Sequence, residues 1–136
     1  ANAPDSTVEA LDGFGMEVGR AFQLVDDMLD LTGEASMGKP RGTDVHEGKM
    51  TLPIIHALTM LHGVEREQLA DVLRNFSDDR WEELTYLLQE AGSFDYALQL
   101  IENHLDRALA EIDSLPPSAA RDLMSEVARL SQSRRT

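Results

Sequence analysis

The chain has 136 residues, 42% of them hydrophobic, with 25 acidic side chains against 12 basic ones and a formal net charge of −13. That length supports one compact domain but not comfortably two, and that hydrophobic content excludes wholesale disorder. The acidic balance disfavours a nucleic acid or an anionic membrane surface, both of which are held by clustered Lys and Arg, and it suits a protein that recruits cations.

The chain has no cysteine, which rules out a disulfide framework and thiolate metal sites. No apolar run is long enough to span a bilayer and no signal-peptide pattern opens the chain, so a cytoplasmic protein without a transmembrane segment is expected. The opening ANAPDS lacks an initiator methionine, which reads as a piece of something longer.

In chain order, nearly everything reads as helix: strand-type alternation is absent, and Leu, Ala, Glu and Arg dominate. Ser6 and Glu9 have capping-box spacing and open a first helix, with Leu11, Phe14, Val18, Phe22, Val25 and Leu29 as its expected apolar face. Gly13 and Gly15 are expected to kink or divide it. A Gly-rich stretch runs from Gly33 to Met50, and Thr51 with Pro53 starts a short apolar helix, TLPIIHALTML.

Amphipathic helices over 64–76 and 79–91 follow, the second with Asp79 and Glu82 at capping-box spacing and Gly92 at its end. A longer helix over 94–115 carries Tyr96, Leu100, Leu105, Leu109 and Ile112 at helical intervals, and Pro116-Pro117 ends it. Residues 118–130 give a last helix before the basic tail SQSRRT. The expected fold class is an all-α helical bundle, divided into a helical region 1–32, a Gly-rich loop 33–50 and C-terminal helices 51–136.

The stretch GRAFQLVDDMLDLTG holds three aspartates inside an otherwise apolar helix. At roughly 100° per residue, Asp26, Asp27 and Asp30 fall within about 60° of Gln23 on the helical wheel. The rest of the circumference is Ala21, Phe22, Leu24, Val25, Met28, Leu29 and Leu31, so one narrow polar stripe runs along a mostly apolar helix. A DDxxD group alone fits a solvated acidic stripe as readily as a cation site. Three carboxylates on a helix whose other faces favour burial repel one another and lose hydration, so some must protonate or find a cation. Their packing at i, i+1 and i+4 favours a counter-ion. Hard oxygen ligands select Mg²⁺ or Mn²⁺ over zinc.

The following residues, GEASMGKPRGTDVHEGKM, bring four glycines together with Lys39, Arg41 and Lys49. Glycines let a backbone approach a ligand closely, and the three bases could neutralise a polyphosphate. A mobile surface loop is the plain alternative. Gly33–Lys39 mimics GxxxxGK, but Pro40 stands where Ser or Thr is required and a helix precedes it where a strand is needed. The aspartate spacing also fails the Ca²⁺-loop pattern. His46, His56, His62 and His104 share no metal-ligand spacing and read as surface or packing residues; Trp81, Tyr86 and Phe94 read as core.

Phe22-Gln23, Asp26-Asp27-Asp30, Gly38-Lys39, Gly42 with Asp44, Gly48-Lys49 and Thr51-Leu52-Pro53 together resemble the second aspartate-rich region of trans-isoprenyl diphosphate synthases, also called polyprenyl synthetases. The later stretch GSFDYALQLIENHLDRALAEIDSLP is similar to that family's C-terminal helices, so the likeness runs over nearly the whole chain. The resemblance implies the C-terminal portion of the isoprenoid synthase fold and an Mg²⁺-dependent prenyltransferase (Mn²⁺ as the alternative ion). Its partners would be an allylic prenyl diphosphate and isopentenyl diphosphate, and its assembly a homo-oligomer, a dimer. It implies Asp26, Asp27 and Asp30 as metal ligands, direct or through water, and Lys39 and Lys49 as diphosphate-neutralising groups. Gln23 would lie beside the substrate; Asp26, Asp27, Lys39 and Lys49 would carry the catalysis.

The family's first DDxxD motif and its isopentenyl diphosphate residues have no counterpart in these 136 residues. The chain therefore resembles less than half of such a synthase, one expected to be inactive alone. A non-catalytic helical subunit of a heteromeric prenyl synthase and a terpene cyclase are the competing readings.

Overall fold

A computed structural model describes residues 5–32 and 41–133 of the chain. Among them the regular structure is all helical: α1 (Asp5–Thr32), α2 (Thr43–His46), α3 (Leu52–Met60), α4 (Gly63–Arg74), α5 (Trp81–Glu90), α6 (Ser93–Asp113) and α7 (Ala119–Ser133), with a 3₁₀ turn at Asp78–Arg80. The all-α expectation holds.

The glycines do not divide α1, which runs unbroken for 28 residues. Each helix-interior glycine costs about 0.5–1 kcal/mol relative to alanine, too little to stop a helix built otherwise from good formers. Ser6 is already helical, so it does not act as the opening cap. The stop after α5 is as expected: Gly92 adopts a left-handed φ of 71°, and its N–H donates to the Gln89 carbonyl. The Asp79–Glu82 box does not form. Asp79 lies inside the 3₁₀ turn, α5 begins at Trp81, and no side chain caps it. Pro53 sits in the first turn of α3, where its missing N–H has no helical partner to lose.

The described residues pack as two units: one combines those up to Val25 with those from Leu98 onward, the other lies within Asp26–Ala97. The second has a contiguous apolar core of Leu31, Val45, Ile54, Ala57, Leu61, Leu69, Val72, Leu84, Leu87 and Leu88. Phe76 and Phe94 pack against it, and Trp81 is buried, as expected; Tyr86 is exposed instead, because it lies on the face of α5 opposite Leu84 and Leu88.

In the first unit, α6 buries Ile101, Leu105, Ala108 and Ile112 at intervals of four, three and four, the stripe of an amphipathic helix. On α1 the buried side chains there are Ala10, Val18 and Ala21. Leu11 and Phe22, expected on the apolar face, are exposed, and so is Leu29 further along the helix. Two contacts tie α1 to α6 in this unit. Glu17 Oε2 lies 2.6 Å from His104 Nδ1, both side chains mostly buried, and the Glu111 carboxyl stands where a Cβ on Gly13 would be.

Candidate functional site

The aspartate stripe of α1 splits by environment. Asp26 is exposed, while Asp27 and Asp30 are 8% and 3% exposed. Burial of Asp30 is offset by hydrogen bonds: the Asp44 backbone N–H donates to its carboxylate, 3.2 and 3.3 Å from the two oxygens. Gly42 N–H donates to the Asp30 carbonyl at 2.8 Å. One residue of α1 thus fastens two residues of the segment that follows, through its side chain and its backbone. The negative carboxylate faces the N-terminal turn of α2, where unpaired N–H groups favour an anion.

That segment is not a loop throughout. Thr43–His46 forms one helical turn, and Lys49 N–H closes it by donating to the Asp44 carbonyl at 2.8 Å. The turn depends on two left-handed glycines, Gly42 (φ 77°) and Gly48 (φ 75°). At Gly42 a second constraint applies, because a Cβ would stand 2.8 Å from Trp81 Cζ3. Lys49 Nζ reaches Asp44 Oδ2 at 4.0 Å and is otherwise exposed. Arg41 takes a different partner: its guanidinium carbon sits 4.7 Å from the Trp81 ring centroid.

Thr51, next after Met50, is buried at the start of α3, and its hydroxyl has no hydrogen-bond partner among the described residues. Lys39 and its neighbour Gly38 lie outside the described residues. Gln23 lies on α1 one turn before Asp26 and Asp27, exposed at the surface.

No group of three or more acidic or histidine side chains among the described residues is arranged to hold a metal ion by itself. The donor chemistry of the stripe nonetheless fits a hard divalent cation. Mg²⁺ keeps several waters, shares its shell with phosphate oxygens and takes only one or two protein carboxylates. Asp26 is the one of the three whose carboxylate is exposed to solvent and open to an ion. Asp30, by contrast, already accepts from the Asp44 backbone.

The histidines form no joint site: His46 pairs with Asp78 at 2.9 Å, His56 with Ser93 at 2.8 Å while stacking on Tyr96, and His104 with Glu17. Sequence reasoning missed the part of Trp81 in the site, for no local signal connects it with residues 41–42, about forty positions earlier. Asp44 had such a signal in its place within the Gly-rich pattern.

The described residues thus form an all-α fold in which a carboxylate-bearing helix is latched to a glycine- and base-containing segment. A sequence model of the family described as polyprenyl synthetase matches residues 1–90. The chain belongs to the polyprenyl synthetase family. It is 39% identical over 125 residues to geranylfarnesyl diphosphate synthase of Natronomonas pharaonis, a match covering 91% of this chain and 36% of that protein. It is 35% identical over 131 residues to heptaprenyl diphosphate synthase component 2 of Geobacillus stearothermophilus, covering 94% of this chain and 40% of that one. Among solved structures, the polyprenyl synthase of Caulobacter crescentus, complexed with calcium and isoprenyl diphosphate, superposes with a TM-score of 0.88 at 32% identity. That match covers 100% of this chain and 42% of the other. The chain thus spans about two fifths of the length of these relatives. No helix among the described residues is long and apolar enough to cross a membrane.

Proposed function

We propose that this chain is the diphosphate- and metal-binding part of an Mg²⁺-dependent prenyltransferase. The complete enzyme joins an allylic diphosphate to isopentenyl diphosphate and makes a longer polyprenyl diphosphate, working as a homodimer. In that reaction the allylic C–O bond breaks with its electron pair leaving on the diphosphate. The double bond of isopentenyl diphosphate then attacks the allylic carbon, and the resulting cation loses a proton. Bound Mg²⁺ would supply charge stabilisation for the departing diphosphate.

The chain's own residues have distinct tasks. Asp26 and Asp27 would hold the ion, with Asp30 completing the motif while it anchors the backbone at Gly42 and Asp44. Lys39 and Lys49 would neutralise the diphosphate as negative charge develops on it, and Gln23 would bind beside them. The observation that carries this reading is the Asp30 latch, which ties the Gly-rich segment back to the aspartate-bearing end of α1. The relatives crystallised with isoprenyl diphosphate and calcium or magnesium support it. DDxxD occurs once in the sequence, so the 136 residues alone are expected to turn over no substrate.

Calorimetric titration of the chain with Mg²⁺ and inorganic pyrophosphate together tests the binding half of the proposal. A coupled heat is expected for the native chain and its loss for Asp26→Ala. No heat from the native chain, or the same heat from the variant, would sink it.

A further inference from the structure

On a chain with 25 acids and 12 bases, three arginines of the described residues form ion pairs. Arg20 pairs with Glu17, Arg80 with Asp71 and Glu83, and Arg121 with Asp113. Arg41 pairs with no carboxylate among the described residues. Its guanidinium instead lies over Trp81 at 4.7 Å from the ring centroid, within the range of a cation–π contact. Such a contact uses the π cloud of the indole and consumes none of the five N–H donors. Arg41 is therefore held in place, and among the described residues its guanidinium donors are unspent.

The platform is itself fixed. Trp81 is buried at the start of α5, and Phe76 meets it edge-on at 6.3 Å between centroids. The His46 ring in turn meets Phe76 at 4.8 Å. The same indole packs against Gly42, whose N–H is bonded to the Asp30 carbonyl. So both the backbone that carries Arg41 and the head group of its side chain are fixed, one by α1 and the other by α5. A planar guanidinium with free donors matches adjacent phosphate oxygens in a two-point fashion that an ammonium cannot reproduce.

We infer that Arg41 is a diphosphate contact of this site and that Trp81 is a positioning residue which orients its guanidinium. This rests on the diphosphate-binding reading above and adds to it a residue pair that Lys39, Lys49 and the aspartates do not include.

The chain contains a single tryptophan, so its fluorescence reports on Arg41 directly. Inorganic pyrophosphate with Mg²⁺ is the probe, followed by calorimetry and by Trp81 emission, with far-UV circular dichroism as the folding control. Arg41→Gln removes an exposed side chain and is expected to weaken pyrophosphate binding by about tenfold or more, the usual effect of losing hydrogen bonds from a charged group. It should also abolish the emission change on binding. Arg41→Lys should recover only part of the affinity, because the charge returns without the fork. Trp81→Phe, which keeps a ring face, should bind nearly as the native chain does, whereas Trp81→Leu should weaken binding.

In the Arg41→Gln background, Trp81→Leu should weaken binding no further, since there is no guanidinium left to orient. An equal loss in both backgrounds would make Trp81 merely structural and overturn its positioning role. Native affinity in Arg41→Gln, with binding still lost in Asp26→Ala, would overturn the inference and leave the diphosphate reading standing. Absence of pyrophosphate binding by the native chain would overturn both.

Discussion

The two units of the chain bury apolar surface in different ways. Asp26–Ala97 closes a core of ten side chains, five of them fully buried leucines and isoleucines on α3, α4 and α5. The other unit buries the Ile101, Leu105 and Ile112 stripe of α6 with small α1 residues, Ala10, Val18 and Ala21, while Val8, Leu11, Met16 and Phe22 of α1 stay exposed. Hydrophobic periodicity reports which face a helix could bury. Whether that face is covered depends on neighbours that periodicity does not contain.

The largest effect should come from cutting into the closed core. Leu84→Ala removes a fully buried side chain and leaves a cavity among Leu31, Leu87 and the other core residues, so it should cost about 2–5 kcal/mol. Leu11→Ala, the same change at an exposed site on α1, should stay within about 0.5 kcal/mol of native. Urea unfolding of the two variants measures the difference. Comparable losses in both would mean that Leu11 is covered and would break the contrast.

Glycines sharpen the comparison at the next scale down. At Gly15 on α1 nothing lies within 4 Å of an added Cβ, and the backbone is helical. Gly15→Ala should therefore gain about 0.5–1 kcal/mol. Gly42 has a left-handed backbone and the Trp81 ring against its Cβ position. There alanine should cost about 1–3 kcal/mol from the backbone alone, before the indole has to shift. Melting curves for the two variants should move in opposite directions. A shift of the same sign in both would remove the argument that Trp81 shapes the backbone at residue 42.

How much was legible in the sequence follows the same division. The helix order, Pro53 in a first turn, the stop at Gly92 and the amphipathic character of α4 and α5 came from local chemistry, which acts within a few residues. The DDxxD stripe was legible as a stripe because wheel geometry is local too. Its division into an exposed Asp26 and a buried Asp30 was not, since that depends on Asp44 folding back fourteen positions later. The exposed faces of Phe22 and Leu29, the failed Asp79 cap and the outward Tyr86 were misread for one reason: each needed knowledge of which neighbour won the space. Trp81 is the extreme case, a residue that reads as core and is also the seat of Arg41.

The smallest expected effect lies at the surface of the closed unit. Arg80 links α4 to α5 by pairing with Asp71 and Glu83, each at 2.9 Å. Hydrogen bonds from Arg80 and then Asn75, with the Arg80 charge beside them, hold the Asp71 carboxyl below its ordinary value of 3.8. Hydrogen bonds to Glu83 and then Asp71 likewise hold the Arg80 guanidinium above its own. A depressed carboxyl pKa contributes stability that is fully present above 3.8 and is lost as pH falls through the folded-state value. The pair is exposed, so water and salt screen it and the contribution is small. Asp71→Asn should therefore be slightly less stable than the native chain at neutral pH, and the gap should close in acid below the folded-state value, where the native carboxyl is protonated as well. Denaturant midpoints at the two pH values measure it. A gap that persists unchanged in acid would show that the substitution acts through something other than charge, and the α4–α5 link would then rest on the Arg80 hydrogen bonds to the Asp71 and Asn75 carbonyls and on the leucines beneath them.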